Sequence, residues 1–154
     1  MNANKPDARE RFTQSLVHLA RRWRWCLDRR LRGSGLTQAR WTALLQIARG
    51  GEGLAQHQLA DFIGIESATL VPILDSLATR KLVERRTDAS DRRAKTVHLT
   101  AQAAPVVSEI EQIANDLRRE LTSGIPLEDL ATCVRVFEQI QARIPTAARP
   151  AESP

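Results

Sequence analysis

The sequence predicts a mainly α-helical protein with one small β-hairpin, and three observations predict it. Apolar residues recur at three- and four-residue steps through most of the chain, the spacing that lines one face of a helix. Seven glycines, seven prolines and three phenylalanines among 154 residues, against abundant Ala, Leu and Arg, favour helix over sheet. The exception is a pair of short strand-like runs, Leu82 to Arg86 and Thr96 to Leu99, around a polar loop with Asp88, Asp91, Arg92, Arg93 and Lys95. A chain of this length that is 42% apolar is most simply one globular domain with a real core.

In chain order, Phe12, Leu16, Leu19, Trp23, Cys26/Leu27 and Leu31 form the stripe of a long amphipathic helix, which Gly33-Ser34-Gly35 ends. Thr37 can cap a second helix, with Trp41, Leu44, Leu45 and Ile47/Ala48 as its apolar face and Gly50-Gly51 as its stop. Gln56 to Asp75 then fits the twenty-residue helix-turn-helix pattern. Leu59, Ile63, Ile65, Leu70 and Ile73 stand at its apolar positions. Ala60 stands where a small side chain lets two helices approach, and Gly64 where the turn favours a positive φ. An ordinary helical hairpin obeys the same packing rules, but the basic hairpin that follows Leu77 and Leu82-Val83 argues for a winged helix over 54–100. Thr100 is a plausible cap for a third long helix, with the stripe Val106/Val107, Ile110, Ile113/Ala114, Leu117 and Leu121. Gly124 and Pro126 break it. A last helix carries Leu127, Leu130/Ala131, Val134, Phe137, Ile140 and Ile144 and stops at Pro145. The helices within 10–35 and 101–144 have apolar stripes but no obvious single partner in one domain. Such helices commonly pair across a two-fold axis, so a homodimer is preferred to a monomeric bundle.

The second helix of the motif should start near Ser67, whose hydroxyl can cap it, and present Ser67, Ala68, Thr69, Val71, Pro72 and Asp75 outward. Ser67 and Thr69 can donate to phosphates or base edges, and Ala68 can meet a thymine methyl. Pro72 falls beyond the first turn and removes a backbone donor, which implies a kink or a later helix start. In the wing, arginines interleaved with aspartates suit a finger in a nucleic-acid groove. Some cations meet phosphate or base edges while the carboxylates hold others in a fixed pose.

Charge agrees with that assignment. Residues 1–100 hold 18 Lys/Arg against 10 Asp/Glu and residues 101–154 hold 5 against 8, so the basic part should face a polyanion. Of the 23 cations 20 are arginine, the residue better suited to bidentate phosphate and guanine contacts. Other chemistries lack their residues. Cys26 and Cys133 lie far apart in helical patterns that read as core, with no Cys/His cluster for a metal. His57 and Asp61 share a helix face, but no nucleophile, metal set or phosphate loop accompanies them, so neither an enzyme nor a cofactor is expected. There is no signal-peptide core and no apolar run near membrane-spanning length, which predicts a cytoplasmic protein with no membrane partner. A protein-interaction module with the same winged shape remains the alternative function.

At these residues the chain resembles the MarR-type regulators, particularly their SlyA-like branch. The run Ala89-Ser-Asp-Arg-Arg-Ala-Lys-x-Val-x-Leu-Thr100 is similar to their wing signature. The resemblance extends to Leu36-Thr37-Gln38-x-x-Trp41, Gln58-Leu59-Ala60-x-x-Ile63-Gly64-Ile65-Glu66, Leu70-Val71, Leu74-Asp75-x-Leu77, Ile110-Glu111 and Leu121-x-x-Gly124-Ile125. It implies a homodimer whose terminal helices interlock and whose two winged helices sit on a palindromic double-stranded operator. It implies that Asp91 braces the wing, that Arg93 enters the minor groove, and that Arg92 and Lys95 lie near phosphates. Arg86, in the first of the two strand-like runs, is also expected to contact DNA. Where SlyA-like proteins typically place an arginine, this chain has Pro72. The resemblance further implies a small phenolic or aromatic carboxylate ligand between the dimer helices and the reading head. Candidates to hold it are His18, Arg22 and Trp23 on the first helix, Trp41 on the second and His57 at the head: a cation pairs the carboxylate and indoles stack on the ring. For each residue the plainer alternatives are a core tryptophan, a solvated cation or a helix-start histidine.

Overall fold

The computed structural model describes residues 7–51, 53–88 and 95–144. In chain order they form α1 (Ala8–Leu31), one turn of 3-10 helix (Arg32–Ser34), α2 (Gln38–Gly50), β1 (Leu54–Ala55), α3 (Gln56–Ile63) and α4 (Ser67–Thr79). These are followed by β2 (Val83–Thr87), β3 (Lys95–Leu99), α5 (Ala103–Leu121) and α6 (Leu127–Gln141). The mainly helical architecture with a small wing is the one expected. The chain divides into two compact units, the first reaching to Arg118 and the second starting at Arg119.

In the first unit the core gathers Leu27 and Leu31 from the end of α1, Leu44 and Ile47 from α2, Leu59 from α3, and Leu70, Leu74 and Leu77 from α4. Val83 and Val97 close it from the sheet, and Val107, Ile110 and Leu117 from α5. The apolar stripe expected along all of α1 is buried only in its last turns, while Phe12 and Leu19 stay exposed. A helix of 24 residues outruns the core that it packs on.

The helix-turn-helix follows the sequence pattern closely. Gly64 ends α3 at φ 76°, a left-handed conformation that glycine adopts cheaply, and its N–H and that of Ile65 both donate to the Ala60 carbonyl. The N–H of Ala55 donates to Gln58 Oε1 at 3.2 Å and so satisfies one group ahead of α3. One expectation for α4 is corrected, and of the two alternatives for Pro72 the later start is excluded. Ser67 is its first residue and not its cap; Glu66 holds the cap position without a side-chain bond. Pro72 does not delay the helix, which runs from Ser67 to Thr79 with the proline inside it. Proline lacks only the hydrogen bond to the Ala68 carbonyl, and on this exposed face water can take its place.

At the end of α4 the turn is closed by Lys81, whose φ of 58° is left-handed, and the Leu82 N–H donates to the Leu77 carbonyl at 3.0 Å. A side chain in this region costs about 1 kcal/mol or more against glycine, part of which glycine returns through its freer unfolded chain. Lys81→Gly is therefore expected to raise unfolding free energy by roughly 0.5–1 kcal/mol. Denaturant unfolding measures it, and a loss of stability would count against the strain.

The sheet has three antiparallel strands in the order β1-β3-β2. Arg85 stands opposite Val97, Arg86 opposite Thr96 and Thr87 opposite Lys95. β1, with Leu54 opposite Val97, is an addition to the expected hairpin. Thr100 serves the sheet rather than capping α5. Its hydroxyl donates to the Lys81 carbonyl at 2.5 Å and its N–H to that of Leu82 at 3.1 Å, and α5 begins three residues later.

In the second unit, α6 starts after Pro126 with Glu128 and Asp129 in its first turn, where carboxylates favour the positive end of the helix dipole. None of its residues is buried, and Leu127, Val134 and Phe137 are exposed. Cys133, expected in a core, is exposed like the rest of the apolar row on which it lies, because α6 buries none of its residues; Cys26 is half-buried.

Candidate nucleic-acid interface

The second helix of the motif, α4, divides cleanly by its period. Leu70, Leu74 and Leu77 are fully buried, which turns Ser67, Ala68, Thr69, Pro72 and Asp75 to the outside. Val71, expected among the outward residues, is half-buried, since it flanks Leu70 and Leu74 on the helix. The exposed row is short, uncharged at its start and closely spaced, so backbone as well as side chains can approach a partner. The first N–H groups of a helix also lack intrahelical acceptors and suit an anion.

Two strands carry the stem of the wing. Arg86 is exposed and ion-paired with Glu84 on the same strand. Lys95 is exposed and donates from Nζ to Thr87 Oγ1 at 2.9 Å, across the register pair. Thr96, the buried polar residue of the core region, accepts or donates at 3.0 Å with His98 Nε2 and donates to the Arg86 carbonyl at 3.4 Å. Asp91, Arg92 and Arg93, the expected brace, phosphate contact and minor-groove reader, lie outside the described residues.

Sequence reading passed over one residue that the structure joins to this surface. Arg85 of β2 forms an ion pair with Asp75 of α4 through Nη2 and Oδ1. Strand alternation contained the signal: Arg85 lies two residues after buried Val83 and opposite buried Val97, so it points to the α4 side of the sheet, whereas Arg86 points to the other. Arg80, at the end of α4, reaches back to donate to the Gly35 carbonyl at 3.0 Å and ties the motif to the turn before α2.

The residues named for a ligand fall in three places. Trp23 and Trp41 line one cleft of about 330 Å³ between α1, α2 and α5, together with Arg24, Thr42, Arg49 and Arg118. Trp41 is buried, and its indole N–H donates to Asp28 Oδ1 at 3.4 Å; Trp23 is half-buried. His18 and Arg22 are exposed on α1, and His57 is half-buried on α3; none of these three lines the cleft. The cations that do so, Arg24, Arg49 and Arg118, share no motif in the sequence and meet only through packing. Among the described residues no group of His, Cys, Asp and Glu could hold a metal ion. No single helix among them is long and apolar enough to cross a membrane.

Comparison with known proteins agrees with this arrangement. The MarR family model matches residues 34–94, the span from the turn before α2 into the wing. The solved transcriptional regulator PA3341 is 41% identical, with a TM-score of 0.81 over 85% of this chain and 96% of that one. The regulator SlyA is 15% identical, with a TM-score of 0.76 over 85% of this chain and 92% of that one, a likeness of fold. CouR from Rhodococcus jostii RHA1, solved bound to p-coumaroyl-CoA, is 21% identical, with a TM-score of 0.71 over 86% of this chain and 91% of that one, again a likeness of fold. The 41% identity to PA3341 over nearly the whole length of that protein, and a family model on the helix-turn-helix and wing, make the chain a member of the MarR family of transcriptional regulators.

Proposed function

We propose that two copies of this chain form a homodimer that binds a palindromic double-stranded operator in the cytoplasm, and that a small aromatic acid governs its release. The observation that carries the reading is the exposed row Ser67, Ala68, Thr69 and Pro72 on α4 beside a basic wing stem with Arg86 and Lys95. In this reading α4 enters the major groove, where Ser67 and Thr69 donate to phosphate or base edges and Ala68 meets a thymine methyl. Pro72 fills the groove without reading it. Arg93 at the wing tip enters the minor groove, braced by Asp91, and Arg92 and Lys95 neutralise phosphates. With proline at position 72, the wing carries much of the affinity. The dimer is supported by the apolar residues that α1 and α6 leave exposed.

The ligand part of the proposal rests on the cleft of Trp23 and Trp41. Its volume falls within the range of small-molecule sites, about 300–1,000 Å³. Two indoles offer faces for an aromatic ring, and the guanidinium groups of Arg24, Arg49 and Arg118, of which Arg24 also donates to the Ala20 carbonyl and Arg118 to Asn115, put positive charge beside them for a carboxylate. An aromatic acid or its thioester fits that chemistry, as the p-coumaroyl-CoA bound by CouR illustrates for the fold.

Selection of bound duplexes from a random pool tests the reading. The expected product is a palindrome whose half-sites lie about 34 Å apart, one turn of DNA. A protein that enriches no duplex even at low salt would be an interaction module instead. Once the operator is known, Arg93→Ala is expected to weaken it by about 1–3 kcal/mol, roughly 5- to 150-fold, at unchanged melting temperature. Filter binding and thermal unfolding read the two effects, and a large loss of stability would make Arg93 structural.

A further inference from the structure

Asp75 belongs to the row of α4 that faces outward, one turn beyond Pro72 and two beyond Ala68. A bare carboxylate there would stand against DNA phosphates and oppose docking. It is not bare, because the Arg85 guanidinium of β2 closes on it. We propose that Asp75 and Arg85 form a clamp that sets the angle between the recognition helix and the wing, so that both act as positioning residues for DNA binding. The clamp rests on the DNA-binding reading above.

The geometry favours this role over two others. The side chains of Arg85 and Asp75 remain 33% and 53% exposed, and ion pairs in such settings add little to stability. The pair therefore does not serve mainly to hold the fold, which the leucines of α4 do from the opposite face. Nor is Arg85 placed as a simple phosphate contact: it shares the inner side of β2 with buried Val83, while its neighbours Glu84 and Arg86 take the outer side. What the pair does join is two elements that must meet one rigid duplex at the same time. α4 reaches one groove and the wing the next, so freedom between them has to be removed on binding unless it is already absent. Arg85 lies two residues before Thr87, the last residue of β2, and so controls the stem near the point where the finger departs. The clamp also cancels the Asp75 charge at the surface that receives DNA. When the duplex excludes water from this surface, the lower local dielectric strengthens the pair and the clamp tightens as the protein docks.

Point-charge electrostatics and the clamp predict opposite signs for one substitution. Removing a negative charge from a DNA-facing helix should by itself tighten binding, whereas opening a clamp should weaken it. The full-length protein and its Asp75→Asn, Arg85→Ala and Asp75→Ala/Arg85→Ala variants are titrated with the selected operator at several salt concentrations, and each is melted. Asp75→Asn is expected to bind about 5- to 20-fold more weakly, within the range of coupling energies between contacting residues, with its melting temperature unchanged. The slope of log affinity against log salt should stay as in the parent for Arg85→Ala, because no phosphate-bound cation is lost. The double variant should bind no more weakly than Arg85→Ala alone, since the clamp can be opened only once.

Asp75→Asn binding as tightly as the parent or more so would overturn the clamp. So would a slope reduced by about one unit in Arg85→Ala, which marks a direct phosphate contact, or independent, additive effects in the double variant. A melting temperature that falls in step with affinity would make the pair structural and overturn it as well. A parent protein that selects no duplex would remove the DNA-binding reading and the clamp with it, an outcome distinct from a parent that binds while Asp75→Asn binds equally well.

Discussion

Leu74→Ala is expected to lower the unfolding free energy by about 3–5 kcal/mol, the upper part of the range for leucines truncated in a closed core. Leu74 is completely buried in the same cluster as Leu44, Leu59, Leu70 and Leu77, where α4 packs on α2 and α3. Its side chain comes from the middle of α4, between two other buried leucines, so neighbouring backbone cannot collapse into the space without moving the helix. Natural domains have only about 5–15 kcal/mol in hand, so one such cavity removes a large share of the total. In a chain of this size the melting temperature should fall by roughly 10 °C. Denaturant and thermal unfolding measure both quantities. A loss below about 1 kcal/mol would mean that α4 can close over the gap and is held less tightly than its burial indicates. Ala68, six residues earlier and on the outside, provides the contrast: Ala68→Ser should leave stability almost unchanged, as surface substitutions usually do, within about 0.5 kcal/mol.

The sequence was most legible where local chemistry and tertiary packing ask for the same residue. At Gly64 the turn needs a left-handed residue, and at Ala60 and Leu59 the helix contact needs one small and one large apolar side chain; all three could be read from spacing alone. The wing strands were legible because their alternation departs from a helical background. Less was visible where the partner is remote in the chain. β1 has two residues, too few to show a period, and pairs with β3 some 40 residues later. Arg24, Arg49 and Arg118 line one cleft from three helices, and no local pattern marks them off from the other arginines. The Asp75 and Arg85 pair was half visible: Asp75 had the right exposure, but its partner follows from strand register. Cap positions failed for a different reason. Ser67 and Thr100 have hydroxyls that can cap a helix, yet α4 starts at Ser67 itself, and the Thr100 hydroxyl donates to the Lys81 carbonyl, a non-helical backbone partner 19 residues away that local sequence does not reveal.

Leu19→Glu is expected to convert the proposed dimer to monomers and, through that, to weaken operator binding by at least about 100-fold. Leu19 is 57% exposed on α1, in the same stripe as Phe12, and neither contributes to the core of its own chain. A glutamate there leaves the folded protomer no charge to bury, so its own stability should hardly change. In a dimer built on α1 the same glutamate would be desolvated against a second apolar surface, and by the two-fold symmetry it would appear twice. Each unpaired buried charge costs several kcal/mol, so two of them exceed what most interfaces of moderate size have in surplus. Operator affinity should then fall further than any single contact could lower it, because one linked half-site raises the effective concentration of the other by a factor of about 10²–10⁴ in overall avidity. Sedimentation of the variant should give the mass of one chain, circular dichroism should retain its helical signal, and binding to the full palindrome should drop to that of an isolated half-site. A variant that still sediments as a dimer would move the interface away from this face of α1. A monomer that retains full affinity would show that each winged helix binds its half-site independently.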